Sequence, residues 1–450
     1  MQDHASGCEF VLYEAGDRFG GIVETVARNG FTIECGPDSW VSEKPWAERL
    51  ARELGLENEL LPSNDHQRRT YIALSDGLFP LPDRMRMMVP TDLNAIRESS
   101  LFSDEAKQAY ITEPGRAEEL RHTALLARGE DADESVADFV RRHFGDEVTA
   151  RVAGPLLAGV FGGDVEKLST RALLAPFVAI EAEYGSLILG LEQRSRHQTS
   201  KPVFTTLRSG LQTLVDRLVA SLPPSSLCAS TAVRRLHQVE KGWLVESAVG
   251  TQEFHRVLLA TSLDASRDLL SSIASEHTRR AATLLPRDAT SSLIVALGYA
   301  ADAAIPKLPD GFGLLAGTQS DQQSLLACTF VDQKFANRAP QGTTLLRAFF
   351  SSAAADRLSH ASEEQIIRIT CSQLSKMLGP LPPEPLVTLV RSWPRSLPQY
   401  EVGHTARMKE LDACLGAMHG ITIAGNALRG VGLPDLIRDA SRAAQTLATD

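Results

Sequence analysis

Two glycine-rich segments near opposite ends of the chain constrain its fold most. Residues 11–14 form a short apolar run that ends in Glu14, and the paired Gly20 and Gly21 follow. Near the other end, the apolar run 421–424 leads into a second glycine-rich turn. A carboxylate at the end of a parallel strand and a glycine turn before a helix are two halves of a dinucleotide-binding site. The two ends are therefore expected to meet in one α/β nucleotide-binding domain.

The glycine turn that normally binds the pyrophosphate is not found ahead of Glu14. A G-x-G-x-x-G turn usually lies roughly 20 residues before the ribose-binding acid, whereas only thirteen residues precede Glu14 here. We expect an upstream segment in the same reading frame to supply the first strand, this turn and most of a helix. Residues 1–6 would then be the end of that helix.

Composition indicates an ordinary globular protein of two or three structural units. Of the 450 residues 43% are hydrophobic and 23% are charged, and the net charge of −10 gives no general attraction to nucleic acid. No apolar run reaches the length of about 18 residues that a spanning helix needs, and no basic-then-apolar leader opens the chain, so we expect a cytoplasmic protein. The scattered cysteines contain no C-x-x-C pair and predict neither a disulfide framework nor a metal site: Cys8, Cys35, Cys228, Cys328, Cys371 and Cys414.

Periodicity changes along the chain from strand-rich ends to a helical middle. Residues 9–13 are a predicted strand, and the alternation over 22–34 predicts that Ile22, Phe31 and Ile33 face inward. Apolar spacing predicts helices over 45–55 and 434–446, a hairpin turns at Asp76-Gly77, and Ser135 is a predicted helix N-cap. We therefore predict three domains. The nucleotide-binding domain is discontinuous (1–45, 205–262 and 390–450), the substrate-binding domain has two segments (46–92 and 263–389), and the helical domain is an insert (93–204).

Four local features could bind a planar dinucleotide, and each also has a purely structural interpretation. Glu14 could hold a ribose or be an exposed acid at a strand end. The turn 36–39 (GPDS) could present backbone N–H groups to a ligand or only reverse the chain. The glycines of 425–432 could bring a helix N-terminus to a ligand or only cap that helix. Trp393, expected in a proline-rich loop, could pack on a flat ring or in the core.

The ordered set of motifs resembles the oxygen-dependent protoporphyrinogen and coproporphyrinogen III oxidases of the flavin amine oxidase superfamily. No single motif is specific, but together they cover nearly the whole chain in order. The GPDS turn distinguishes this group from monoamine oxidases and phytoene desaturases. The matching stretches are 13–15 (YEA), 20–21 (GG), 33–39 (IECGPDS), 158–164 (AGVFGGD), 168–169 (LS), 185–188 (GSLI), 309–313 (PDGFG), 393–394 (WP), 397–400 (LPQY), 425–426 (GN) and 430–435 (GVGLPD).

The resemblance implies a Rossmann-like FAD-binding domain that lacks its first βα unit, with a mixed α/β substrate domain and a helical insert. It implies non-covalent FAD, removal of six electrons from a porphyrinogen, O2 as acceptor, H2O2 as product, and a place in haem biosynthesis. Carried over by position, the cofactor-binding residues are Glu14, Ala15, Gly20, Gly21, Gly36, Pro37, Asp38, Ser39, Val233, Trp393, Ala424, Gly425, Asn426, Gly430 and Val431.

For catalysis the resemblance implies hydride transfer from a meso carbon to the flavin. Asp38 is our candidate for a carboxylate that accepts pyrrole N–H groups and stabilises the developing cation, although it could equally cap its own turn. Lys44, Arg68 and Arg69 are candidates for binding the propionates, with solvated surface charge as the alternative. Protoporphyrinogen-using members often carry an arginine where this chain has Thr70, which favours coproporphyrinogen III.

The implied partners are a porphyrinogen and O2. A ferrochelatase contact, a peripheral contact of residues 84–89 with the inner membrane, and the choice between monomer and homodimer stay open. One alternative is a flavin amine oxidase or desaturase with another substrate. Another is an inactive or porphyrin-binding protein without flavin, because loss of the first strand would uncover its neighbours in the sheet.

Overall fold

A computed structural model describes residues 9–126, 132–195, 201–300, 305, 308–317 and 324–449; residues 1–6, expected to end a helix, lie outside them. The strands in these residues are β1 (Leu12–Tyr13), β2 (Thr25–Arg28), β3 (Phe31–Glu34), β4 (Trp40–Val41), β5 (Leu60–Pro62), β6 (Thr70–Leu74), β7 (Gly77–Pro80), β8 (Met85–Arg86), β9 (Val89–Pro90), β10 (Phe204–Leu207), β11 (Leu227–Cys228), β12 (Val233–Val239), β13 (Gly242–Ser247), β14 (Gly250–Phe254), β15 (Val257–Leu259), β16 (Ala289–Ala300), β17 (Gly313–Ala316), β18 (Leu325–Phe330), β19 (Thr343–Phe350), β20 (Val387–Pro398) and β21 (Ile421–Ile423). The α-helices are α1 (Trp46–Glu53), α2 (Leu93–Glu98), α3 (Asp104–Thr112), α4 (Ala117–Leu126), α5 (Val136–Val148), α6 (Gly154–Phe161), α7 (Thr170–Leu173), α8 (Ala175–Tyr184), α9 (Leu187–Ser195), α10 (Gln212–Ala220), α11 (Leu263–Ser272), α12 (Glu276–Leu284), α13 (Val331–Lys334), α14 (Ser352–Arg357), α15 (Glu363–Leu378), α16 (His404–Gly416) and α17 (Leu433–Thr449).

Parallel strand pairs join segments that are far apart in the sequence. β1 pairs with β11, Leu12 opposite Leu227, and β15 pairs with β21, Val257 opposite Ile421. Tyr13 packs on the core cluster that the β15–β21 ladder and α16 share. The strand predicted over 9–13 is shorter than expected, but it pairs in parallel as a nucleotide-binding strand should.

The β2–β3 hairpin attaches this part of the molecule to a large sheet. Phe31 and Ile33, predicted to face inward, are each 1% exposed. They pack with Leu345 of β19 and Leu389 of β20, whereas Ile22, also predicted inward, is half-buried. The turn that follows the hairpin therefore leaves at the junction between two structural units.

The large sheet has seven strands in the order β20-β16-β19-β18-β17-β6-β7. Its pairs are antiparallel apart from the parallel β17–β6 pair. Trp393 lies inside β20, opposite Ser292, so its predicted place in a loop is wrong. β20 is an edge strand with an irregular register near Ser292, and an edge or a bulge is where a strand tolerates a residue such as Pro394 that has no N–H. The predicted domain boundary at 390 also falls inside β20.

The helical middle of the chain is present as α2 to α9 around one apolar core. Ser135 caps α5 as predicted, because its hydroxyl accepts the N–H of Asp138 at 3.0 Å. Among the described residues, no helix combines the length and the apolar character that crossing a bilayer requires.

The first predicted helix is α1, and the last is α17. α1 packs on α17, and Ala47 and Ala51 are buried with Leu207 and Leu214 of the β10–α10 region. β5 pairs with β10 as well. Residues 46–62 thus pack with segments predicted for the nucleotide-binding domain, and the division into domains stays a prediction.

Candidate active site

The end of β1 brings Glu14 to the segment before β12. The Glu14 N–H donates to the Cys228 carbonyl at 2.9 Å, and the Thr231 N–H donates to the Glu14 carbonyl at 2.8 Å. One carboxylate oxygen of Glu14 accepts the Gly16 N–H at 2.6 Å. Glu14 and the strand that starts at Val233 are therefore neighbours, which is the arrangement that binding of one adenosine would need.

Two predicted cofactor glycines leave open space beside the backbone. Gly21 has φ +55°, and a Cβ added there would meet no atom within 4 Å. Gly425 has φ +143°, and an added Cβ would come no closer than 3.9 Å to the Thr261 carbonyl oxygen. Gly20 differs, because its Cβ would lie 2.9 Å from Val215. A ligand can thus approach the chain at both ends of the predicted site.

These residues fit FAD. The Glu14 carboxylate can accept ribose hydroxyls, the bare backbone at Gly21 and Gly425 admits a closely bound ligand, and α17 points its N-terminus at the turn 424–432. A positive helix end suits the anionic side of a flavin or its phosphates.

The turn 36–39 is fixed between the β2–β3 hairpin and the large sheet. A Cβ on Gly36 would lie 1.8 Å from the Ile22 carbonyl oxygen, so only glycine fits there. A guanidinium N–H of Arg347 in β19 donates to the Gly36 carbonyl. The indole N–H of Trp393 donates to the Cys35 carbonyl at 2.6 Å. The fold therefore brings Trp393 next to this turn; their roles at a flavin stay predictions.

The Asp38 carboxylate is half-buried, with 17% of its side chain exposed, and it faces two cations. Its oxygens lie 2.9 and 3.1 Å from Lys334 Nζ and 3.6 Å from Arg347 Nη1, and the Ser39 hydroxyl donates to it at 2.7 Å. Burial alone would raise the pKa of Asp38, but Lys334 and Arg347 outweigh it and hold the pKa well below its usual value. Asp38 is therefore ionised at any pH at which the protein works.

A second buried ion pair adjoins the first. Arg338 Nη2 lies 3.4 Å from a Glu34 carboxylate oxygen and donates to the Thr206 hydroxyl at 2.7 Å. Burial raises the pKa of Glu34, against the opposing effect of Arg338. Three cations thus face two carboxylates in one buried cluster, which is defined by Glu34, Asp38, Lys334, Arg338 and Arg347 and is called the charge cluster below.

Sequence reasoning missed the cations of the charge cluster. Lys334 and Arg338 lie near α13, in a stretch read only as mixed α/β. Arg347 was detectable, because it interrupts the apolar strand 343–350 (TTLLRAFF) and a charge inside such a strand needs a buried partner.

The predicted propionate-binding cations are not gathered at one place. Lys44 pairs with Asp435 at the start of α17 at 2.5 Å, and its side chain is 45% exposed. Arg68 and Arg69 are exposed just before β6, and Arg68 donates to the Met85 carbonyl at 3.4 Å. Lys44 therefore links the segment after β4 to α17, and its part in substrate binding stays a prediction.

The turn 424–432 is held from within by two aromatic residues. The Ala424 N–H donates to the Leu259 carbonyl at 2.8 Å, which continues the β15–β21 ladder. The Tyr400 hydroxyl donates to the Asn426 carbonyl at 2.6 Å, and His404 Nε2 lies 2.6 Å from the Leu428 carbonyl oxygen. Tyr400 comes from the connection between β20 and α16, and His404 is the first residue of α16.

His404 should make the fold sensitive to acid. Burial lowers its pKa to about 4, although the Leu428 carbonyl opposes this shift. In the unfolded chain a histidine has a pKa of about 6.5. Between these values only the unfolded chain binds the proton, so the free energy of unfolding falls as the pH drops, by roughly 3 kcal/mol over the whole window. Urea unfolding at several pH values measures this loss. The loss should be smaller in His404→Gln and unchanged in His360→Gln, which alters an exposed histidine; equal slopes in all three proteins would refute it.

Comparisons with known proteins add two sequence relatives. The chain matches the family described as flavin containing amine oxidoreductase over residues 4–448. It is similar to the coproporphyrinogen III oxidase of Bacillus subtilis (strain 168), with 32% identity over 439 residues that cover 95% of this chain and 89% of that protein. It is also similar to the chloroplastic protoporphyrinogen oxidase of Nicotiana tabacum, with 28% identity over 457 residues, 94% of this chain and 78% of that protein.

Solved structures share the fold. A protein of Exiguobacterium sp. 255-15, named as a candidate protoporphyrinogen oxidase, superposes with a TM-score of 0.84 at 29% identity and covers 100% of this chain and 94% of its own. Cyclohexylamine oxidase from Brevibacterium oxydans IH-35A has a TM-score of 0.68 at 15% identity, with 100% and 94% covered. The predicted fold class, an FAD-binding α/β domain with a substrate domain and a helical insert, is thereby confirmed.

Proposed function

The chain belongs to the flavin containing amine oxidoreductases and is an oxidoreductase with FAD as its cofactor, and from this premise we propose that it oxidises a porphyrinogen in haem biosynthesis. The proposed substrate is coproporphyrinogen III, the proposed acceptor is O2, and the products are coproporphyrin III and H2O2. Thr70, which stands where protoporphyrinogen-using enzymes often carry arginine, supports this choice of substrate.

One observation carries the proposal. The GPDS turn, the motif that distinguished the porphyrinogen oxidases in the sequence, is contacted by the large sheet, because Trp393 of β20 donates to the Cys35 carbonyl and Arg347 of β19 donates to the Gly36 carbonyl. The same strand β20 reaches the turn 424–432, where the Asn426 amide donates to the Ser396 carbonyl at 2.8 Å. Lys44, which follows β4, pairs with Asp435 of α17, and Trp393 links the GPDS turn to β20. The names of the similar proteins from B. subtilis and N. tabacum, both porphyrinogen oxidases, support the same substrate class.

Asp38 is the proposed catalytic residue. When bound, FAD supplies the acceptor for a hydride from a meso carbon of the substrate and passes the electrons to O2. Loss of the hydride makes the pyrrole N–H groups more acidic and more strongly donating. The ionised Asp38, with Lys334, Arg347 and Ser39 fixing its oxygens, accepts such N–H groups without taking up a proton first.

The proposed reaction is balanced in hydrogens and electrons. Six hydrogens leave the macrocycle, two in each of three cycles, and each pair reduces one O2 to one H2O2. Lys44, Arg68 and Arg69 remain our candidates for the propionates, and Arg68 and Arg69 have the exposure that a carboxylate ligand needs.

An aerobic assay tests the proposal. The flavin-loaded protein is supplied with coproporphyrinogen III or protoporphyrinogen IX, and porphyrin fluorescence and peroxide are followed together. We expect a larger kcat/KM for coproporphyrinogen III and three molecules of peroxide for each porphyrin. A flavin-loaded protein that oxidises neither porphyrinogen would refute the proposed function, and oxidation of cyclohexylamine in its place would favour the amine oxidase alternative.

A further inference from the structure

The segment 397–404 (LPQYEVGH) lies between the helical part of the molecule and the turn 424–432. We infer that Tyr400 and His404 are positioning residues that hold this turn in shape for the flavin and couple it to the helical part. The inference rests on the proposed function to the extent that it needs flavin at this turn.

Tyr400 closes the turn from its inner side. Its hydroxyl donates to the Asn426 carbonyl at 2.6 Å and accepts the Gly430 N–H at 2.9 Å. One oxygen atom thus joins two backbone positions four residues apart. A glycine-rich turn has many accessible conformations, so this double hydrogen bond selects one of them. Because Tyr400 is 2% exposed, water cannot easily replace the bonds.

His404 fixes the peptide between those two positions. Its Nε2 donates to the Leu428 carbonyl at 2.6 Å, which requires the proton on this nitrogen in the neutral ring. The ring stacks on Tyr400 with 4.0 Å between centroids and 10° between planes. The two stacked side chains therefore support the turn together. Asn426 attaches the turn at a third position, because its amide donates to the Ser396 carbonyl of β20 at 2.8 Å.

The backbone of the same segment binds the helical part. The Ser169 N–H donates to the Tyr400 carbonyl at 2.7 Å, and the Val402 N–H donates to the Lys167 carbonyl at 3.0 Å. The Gly403 N–H donates to an Asp133 carboxylate oxygen at 2.8 Å.

Gln399, next to Tyr400, grips the end of α6. Its side-chain N–H donates to the Phe161 carbonyl at 3.0 Å. Its Oε1 packs so closely on Gly163 that a Cβ added there would lie only 2.0 Å away. One short segment thus contacts the helical part through its backbone and Gln399, and the flavin-side turn through Tyr400 and His404. A shift of the helical part must move the turn as well.

The main test compares Tyr400→Phe with Tyr71→Phe. Both changes remove only a hydroxyl. The Tyr400 hydroxyl bonds two backbone groups of the turn, whereas the Tyr71 hydroxyl donates to the Asp310 carbonyl just before β17, away from the turn. In Tyr400→Phe we expect FAD to dissociate about tenfold more readily. We also expect an altered visible circular dichroism of bound flavin, faster deuterium uptake over 424–432, and a kcat that falls more than KM rises. Flavin affinity and deuterium uptake equal to those of Tyr71→Phe would overturn the inference.

A second variant tests the coupling from the helical side and guards against misfolding of the first. Asp133→Asn weakens the acceptor for the Gly403 N–H, and other partners of this carboxylate, the Ser169 hydroxyl and the Arg171 N–H, lie outside the turn. Faster deuterium uptake over 424–432 in this variant is the expected result, and uptake changed only around residue 133 would overturn the coupling. The flavin measurements need no porphyrinogen. Failure of the positioning role of Tyr400 and His404 can therefore be distinguished from failure of the proposed substrate.

Discussion

Asp38→Asn is expected to remove most of the porphyrinogen oxidation and to destabilise the fold by about 3–5 kcal/mol. The substitution leaves Lys334 and Arg347 buried without the carboxylate that both now face. It also replaces an ionised acceptor with an amide whose nitrogen can only donate. Urea unfolding gives the loss of stability, and turnover of coproporphyrinogen III gives the loss of activity.

The double variant Asp38→Asn/Lys334→Met separates the two roles of Asp38. It removes one cation together with the carboxylate and so restores the net charge of the charge cluster. We expect stability to recover in large part while turnover stays low, because the acceptor for the substrate is still missing. Recovery of both would mean that Asp38 only neutralises cations, and the catalytic assignment would then be wrong.

Gly36→Ala has the second large expected effect. Its methyl group would lie 1.8 Å from the Ile22 carbonyl oxygen and 2.9 Å from the carbonyl carbon, and both belong to a backbone that cannot rotate away. Relief requires the turn 36–39 to move off the β2–β3 hairpin, which breaks the contacts of Arg347 and Trp393 with it. We expect a loss of at least about 3 kcal/mol of stability and release of FAD during purification.

Gly416→Ala is the matched control for this substitution. Gly416 ends α16, and a Cβ there would meet no atom within 4 Å, so stability should hold or rise by about 0.5–1 kcal/mol. The ratio of flavin to protein absorbance and the thermal midpoint report both variants. A Gly36→Ala protein that keeps its flavin and its midpoint would show that the turn is not confined as described.

Local patterns predicted the elements well where the signal was periodic or chemical. Phe31 and Ile33 alternate and are buried, and Ser135 caps its helix. Trp393 was misplaced because Pro394 is typical of a loop, and only the sheet order shows that β20 is an edge where proline is tolerated.

The charge cluster lay beyond the reach of local patterns. Asp38 and Lys334 are almost 300 positions apart, and no spacing rule joins a turn residue to a lysine at the end of a short helix. Tyr400 stood in a matching motif, but its function as a hydroxyl between two peptides of another turn depends on tertiary packing. The sequence thus predicts which residues belong to the site, whereas the residues that they contact can be identified only in the folded chain.

Anaerobic mixing tests the central claim most directly. The flavin-loaded protein is combined with coproporphyrinogen III in the absence of O2, and the visible flavin absorbance is recorded. We predict that the absorbance is lost without O2, because each flavin takes up two of the six electrons, and that the absorbance returns and porphyrin fluorescence appears when O2 is admitted. A flavin that dithionite bleaches but coproporphyrinogen III and protoporphyrinogen IX leave unchanged would contradict the claim that this protein oxidises a porphyrinogen.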